Sequence, residues 1–186
     1  MSLRLCATCV SPNSETAGRT QESVMPHSDS LLLKEARDLF LASNGLSLQD
    51  YAAPTFSIGV FGLTLKFPNT ATRKRVVPLH DLHHVLTGYE TTWVGEAEIG
   101  AWELRAGCNA FIAYFLNGGG VIIGLFLSPH RVWHAFRAAK GQRTLYFDSL
   151  PYERLLQVTV REARQRLGIP AQGLAGSRSG LSKTHS

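Results

Sequence analysis

Residues 78–96 read PLHDLHHVLTGYETTWVGE, and the way this stretch folds decides how the rest of the chain is read. Its ligand-type side chains fall at the spacing His80-Asp81-x-x-His84, then eleven residues, then Glu96. One residue of an α-helix advances about 100° around the axis, so positions 80, 81 and 84 span an arc of about 100° and can point at one place. Gly88 allows the helix to stop about one turn after His84. The following turn, YETT, can feed a second helix starting near Thr92 that brings Glu96 back beside the first. The stretch predicts two antiparallel helices presenting two imidazoles and two carboxylates to a common point.

Such a set suits one divalent metal, because imidazoles and carboxylates are borderline-to-hard ligands and two carboxylates cancel the charge of a dication. The expected ligands are His80, Asp81, His84 and Glu96, with Asp81 or Glu96 alternatively acting as a catalytic base. Zinc fits best, and ferrous iron or manganese also fit because no thiolate selects against them. His83 lies about 60° from His80 on the side away from Asp81, and reads as a supporting or solvent-facing group. His130 and His134 are also four apart, but no carboxylate stands near them in sequence, so they read as structural or solvated.

Outward from this pair, helix signals dominate. DSLLLKEARDLFLASNG, 29–45, offers Asp29 or Ser30 as N-cap, apolar Leu32, Ala36, Leu39 and Phe40 on one face, and Gly45 as terminator. SLPYERLLQVTVREARQRLGIP, 149–170, reads as one helix with Pro151 in its first turn and Gly168 as its stop; its arginines 161, 164 and 166 are placed in water. TFSIGVFGLTLKF, 55–67, alternates like a strand yet also fits a helical face. FIAYFLNGGGVIIGLFL, 111–127, reads as two buried or membrane-touching segments meeting at a glycine break, with Ser128 and Pro129 restarting a helix through 130–141.

The fold expected is a mainly helical, all-α single domain with a metal-binding helix pair, and 55–67 is the place for a short strand. The domain spans 29–170. Residues 1–28 are Ser-, Thr- and Arg-rich without an apolar face, which fits a disordered leader or a start codon called upstream of Met25; 171–186 read as a disordered tail.

At 186 residues the chain is long enough for one core, and its net charge of +5 favours an acidic partner such as an anionic membrane surface or a phosphorylated ligand. Two basic runs, Arg73-Lys74-Arg75 and Arg131, Arg137, Lys140 and Arg143, read as solvated faces. No aromatic-interleaved stacking platform accompanies them, which argues against nucleic acid. Cys6, Cys9 and Cys108 make no disulfide framework and suit a reducing compartment.

With HDLHHVLTGYETTWVGE filling every signature position, the sequence resembles the coenzyme Q (ubiquinone) biosynthesis protein 4 family, whose signature is His-Asp-x-x-His, eleven residues, then Glu. GYETTWVGEAEIGAWE is similar to the family's short turn and second helix, and the apolar 111–127 stretch to its lipid-associated helices. The resemblance implies a mostly helical fold, including helix over 56–65, and a zinc site at His80, Asp81, His84 and Glu96. It further implies work on the polyprenylated hydroxybenzoate precursor of ubiquinone, with removal of the ring carboxylate and oxidation at that carbon. The implied partners are that prenylated substrate or lipid, other quinone-biosynthesis proteins and a membrane surface held peripherally. The implied location is the inner membrane facing the cytoplasm in a bacterium, or the matrix side of the mitochondrial inner membrane in a eukaryote.

Three other readings compete. A non-catalytic prenyl-lipid-binding scaffold of a quinone-biosynthesis complex would use the metal only to pin two helices. A helical His-Asp metal-dependent phosphohydrolase could be fitted to His27, His80, Asp81 and Asp148, but leaves His84 and Glu96 without a role. A zinc peptidase would take Asp81 as base and Glu96 as third ligand. The small residues Gly95, Ala97 and Gly100 could allow close helix approach within the fold or across a homodimer.

Overall fold

A computed structural model describes residues 29–60, 63–108, 121 and 124–175. Among them the chain is mainly helical, with one two-stranded sheet. The leader, the glycine break near 118 and the end of the tail lie outside the described residues, as do Cys6, Cys9 and His27.

The first helix, α1, spans Leu33–Ser43 and buries Leu33, Ala36, Phe40 and Leu41. Its apolar face is turned slightly from the expected one, leaving Leu39 55% exposed. Leu32, not Asp29 or Ser30, is its N-cap, and Glu35 accepts the Leu32 N–H at 2.9 Å. Asp29 is committed elsewhere, its carboxylate accepting from Arg164 at 2.7 Å. A short helix, α2, Leu48–Ala52, opens on a Ser47/Asp50 capping box and carries Tyr51 toward the next long helix.

Strands β1, Thr55–Val60, and β2, Leu63–Pro68, pair antiparallel with Thr55 opposite Pro68 and Val60 opposite Leu63. Alternation therefore decides this segment, and the helix implied over 56–65 does not form. Phe56 and Phe67 face each other across the strands and stack at 5.6 Å. The Arg73 guanidinium lies 3.7 Å above the Phe56 ring and donates to Asn69 at 3.1 Å. Arg73 is thus buried rather than solvated, because its planar cation finds a ring face and an amide oxygen together.

Helix α3, Ala71–Thr87, starts where Thr70 Oγ1 accepts the Arg73 N–H and stops at Gly88, whose φ of 78° is left-handed. Helix α4, Trp93–Ala106, starts where Thr92 Oγ1 accepts the Gly95 N–H at 3.2 Å. It is buried on nearly every side from Gly95 to Glu103, which its small residues permit. A Cβ on Gly124 would sit 2.1 Å from the Ala97 Cβ, so Ala97 serves close approach within the fold. Pro129 opens α5, Pro129–Ala138, after Ser128 as the sequence suggests.

A 3₁₀ turn, Leu145–Phe147, leads to α6, Tyr152–Leu155, and α7, Val160–Leu167. The single helix expected over 150–167 is broken, because Thr159 takes extended dihedrals and forms a capping box with Glu162. Arg164, expected in water, is 2% exposed. It donates to the Leu86 carbonyl at 3.0 Å, in the last turn of α3, as well as to Asp29 and to the Ala171 carbonyl. The Leu174 and Ala175 amides both donate to the Thr87 carbonyl. The chain is therefore part of the folded body as far as Ala175, past the boundary expected at Pro170. These bonds occupy carbonyls that a helix C-terminus leaves without intrahelical donors, and they fix the end of α3 that carries His84.

Candidate metal centre

Helix α3 supplies two histidines to one point and α4 supplies the carboxylate. His80 pairs with Glu103 and His84 with Glu96, so partners descend α4 as positions climb α3, the order of an antiparallel pair. Ligand atoms of His80, His84 and Glu96 all lie within 4.8 Å of one another, and this group could hold a metal ion. The two Nε2 atoms are 3.2 Å apart; His80 Nε2 lies 3.4 Å from Glu96 Oε2, and His84 Nε2 lies 3.4 Å from Glu96 Oε1. A tetrahedral cation with bonds of about 2.05 Å to nitrogen or oxygen separates its donors by about 3.3 Å. The distance between the two Nε2 atoms and the distances from each to its carboxylate oxygen are of that size.

Hydrogen bonding fixes which nitrogens face inward. His84 Nδ1 lies 2.8 Å from the Tyr89 carbonyl, which can only accept, so Nδ1 carries the hydrogen and Nε2 presents its lone pair. His80 Nδ1 donates to Glu103 Oε1 at 2.9 Å, again leaving Nε2 inward. Phe40 stacks on His84 at 5.5 Å and closes one side.

The electrostatics agree. Burial would raise the Glu96 carboxyl, but the charge of His84 and hydrogen bonds from both histidines hold it at about 2. Burial would lower His80, yet the charge and hydrogen bond of Glu103, joined by Glu96, raise it well above its ordinary value.

Asp81 is not part of this group. It stands about 100° from His80 around α3, and the Tyr51 hydroxyl donates to its Oδ2 at 2.6 Å. His83 is fully buried rather than solvent-facing, and its Nδ1 donates to Glu103 at 2.6 Å. Burial lowers its pKa, as do the charges of His80 and His84, against the pull of Glu103. Asp148 pairs with Arg166 at 2.7 Å and lies outside the metal group, as do His130 and His134.

Glu103 is the residue that sequence reading missed. It stands seven positions after Glu96, two turns along one face of α4, and that spacing was the available signal. Burial would raise its carboxyl, but the charge of His80 and hydrogen bonds from His80 and His83 drive it far below the usual carboxylate range.

Comparison with known proteins finds no match: no protein-family model, no curated protein and no solved structure matches the chain.

Proposed function

We propose that this chain is a metal-dependent ubiquinone-biosynthesis protein that acts at a membrane surface on the polyprenylated hydroxybenzoate precursor. The observation that carries the reading is the cluster of His80 Nε2, His84 Nε2 and the Glu96 carboxylate, with ligand atoms within 4.8 Å of one another, standing in the spacing that resembles that family. The reaction proposed breaks the bond between the ring and its carboxylate, releases carbon dioxide and forms a carbon–oxygen bond at the same carbon. Dioxygen supplies the oxygen atom, and an external two-electron donor reduces the other atom to water.

His80, His84 and Glu96 would hold the cation, which supplies positive charge where the phenolate and leaving carboxylate develop negative charge. Zinc is the cation proposed; two imidazoles and one carboxylate also form the donor set of ferrous iron sites, and elemental analysis separates them. His80 is 15% exposed while His84 and Glu96 are nearly sealed, so the anionic head group would approach along the His80 edge. Asp81, held by Tyr51, would serve as a base rather than bind the metal.

The membrane part of the proposal draws on an apolar surface. Leu125, Phe126, Leu127 and Trp133 are exposed, Phe126 at 87%, on the 124–127 segment and α5. No helix among the described residues is long and apolar enough to cross a membrane. The contact proposed is peripheral, beside other quinone-biosynthesis proteins and not nucleic acid. In a bacterium the protein would work on the cytoplasmic side of the inner membrane, and in a eukaryote on the matrix side of the mitochondrial inner membrane.

One observation favours a second reading. The ligands are so enclosed that a metal there would also tie α3 to α4, which suits a prenyl-lipid-binding scaffold. The test is metal-loaded protein in micelles with prenylated hydroxybenzoate labelled at the carboxylate carbon, under air with a reductant. Labelled carbon dioxide above a His84→Ala control supports the enzyme. Tight binding of the labelled compound without release supports the scaffold, and neither result sinks the proposal.

A further inference from the structure

We infer that Glu103 is a positioning residue for the metal centre, fixing through His80 Nδ1 which nitrogen of that ring meets the cation. The inference rests on the metal reading of His80, His84 and Glu96 and adds a residue to it. Glu103 is fully buried in the middle of α4, where an ionised carboxylate is costly unless donors surround it. Three donors converge on its Oε1: His80 Nδ1 at 2.9 Å, His83 Nδ1 at 2.6 Å and the Tyr146 hydroxyl at 3.0 Å.

The direction of influence follows from His83 and Tyr146. The Leu145 N–H donates to His83 Nε2 at 2.9 Å, and a backbone amide can only donate. His83 therefore carries its hydrogen on Nδ1 and gives it to Glu103. Rings of Trp102 and Tyr146 pack edgewise on His83 at 5.2 and 4.9 Å and hold it there. Two groups outside the metal set thus anchor the carboxylate. Glu103 stays in place whatever His80 does, and His80 conforms to it.

The two imidazoles are consequently unequal. His84 gives its Nδ1 hydrogen to a neutral carbonyl, whereas His80 gives its own to an ionised carboxylate. A carboxylate behind an imidazole makes the far nitrogen a more basic ligand and locks its tautomer. It also brings a second negative charge near the cation, the role that sequence reading gave to Asp81.

The experiment uses the full-length chain, stripped of metal and titrated with zinc in competition with a chromophoric chelator. Glu103→Gln keeps the shape and removes the charge; losing such a partner should weaken zinc binding by about 10- to 100-fold. The control is Glu98→Gln, the same change at a buried carboxylate of α4 that pairs with Arg131 instead. Its affinity should stay within about twofold of wild type, since the ion pair this change weakens is with Arg131, which is not one of the ligands. Cobalt-loaded Glu103→Gln should also show visible absorption bands displaced from those of the wild type. Should Glu103→Gln fail to fold, nitrogen-correlated proton NMR of the zinc-loaded wild type decides, because His80 must keep a slowly exchanging Nδ1 hydrogen and bind through Nε2. Wild-type affinity in a folded Glu103→Gln, or coordination through His80 Nδ1, overturns the inference alone. A wild type that binds no zinc removes the metal reading and this inference with it.

Discussion

Replacing Gly95 by alanine should destabilise the protein, although it exchanges a poor helix former for the best. A Cβ built on Gly95 would lie 2.1 Å from the carbonyl oxygen of Glu90, 2.8 Å from its carbonyl carbon and 3.0 Å from its nitrogen. All three are main-chain atoms in the short turn between Gly88 and Thr92, so no side chain can swing aside. Ordinary contact between such atoms is about 3.5 Å, and the turn and α4 must part by more than about 1 Å. Overpacking of that kind costs up to about 3 kcal/mol. Alanine returns about 1 kcal/mol of helix propensity. The net loss is up to about 2 kcal/mol, or up to about 6 °C in Tm for a domain of this size. The displaced residue precedes Glu96, so zinc affinity should fall as well. Far-ultraviolet circular dichroism melts of metal-free wild type and Gly95→Ala measure the first effect, and chelator competition the second. A variant as stable as the wild type, or more stable, would refute the close approach of the Glu90 carbonyl to α4.

Other consequences follow from the ion pairs and caps. His80 has a folded pKa well above the unfolded value of 6.5, so its protonation stabilises the metal-free fold below 6.5. That contribution is lost as pH rises through the folded value, and metal-loaded protein should not show the loss. Because metal takes the place of that proton, calorimetric titration in buffers of differing protonation enthalpy should report release of about one proton per metal near neutral pH; release of none would contradict the assignment. Arg164→Met strands the Leu86 and Ala171 carbonyls and leaves Asp29 only its longer pairing with Arg161, and should cost about 3 kcal/mol in urea denaturation. A cost under about 0.5 kcal/mol, the range of ordinary surface substitutions, would show that Arg164 sits in water after all. Thr159→Ala removes the cap of α7 and should lower stability by about 1 kcal/mol by the same method, with an unchanged midpoint arguing against the break before Val160.

The helix pair was legible because its boundaries are local chemistry. Thr70, Gly88 and Thr92 end or begin helices through bonds to residues three or four away, and no tertiary partner is needed to foresee them. His80 and His84 nearly overlap down the axis of α3, and they do converge. Asp81 shows the limit of an arc argument, since 100° of rotation is enough to reach a different neighbour, here Tyr51. Glu103, Arg73 and Arg164 were misjudged or missed for one shared reason. These charged side chains are buried because distant parts of the chain bring most of their partners, and apart from Arg73–Asn69 and Arg164–Ala171 those hydrogen bonds span between 20 and 135 positions. The break at Thr159 was visible as Thr-x-x-Glu, but it lay inside a continuous apolar periodicity that outvoted it. In the 55–67 segment both periodicities were present, and strand pairing decided between them.

Elemental mass spectrometry of the full-length chain, purified beside His84→Ala, addresses the metal centre most directly. The geometry predicts about one zinc, iron or manganese per wild-type chain and loss of that metal in a variant whose circular dichroism is unchanged. A well-folded wild type that takes up none of the three, even when each is supplied in excess, would contradict it.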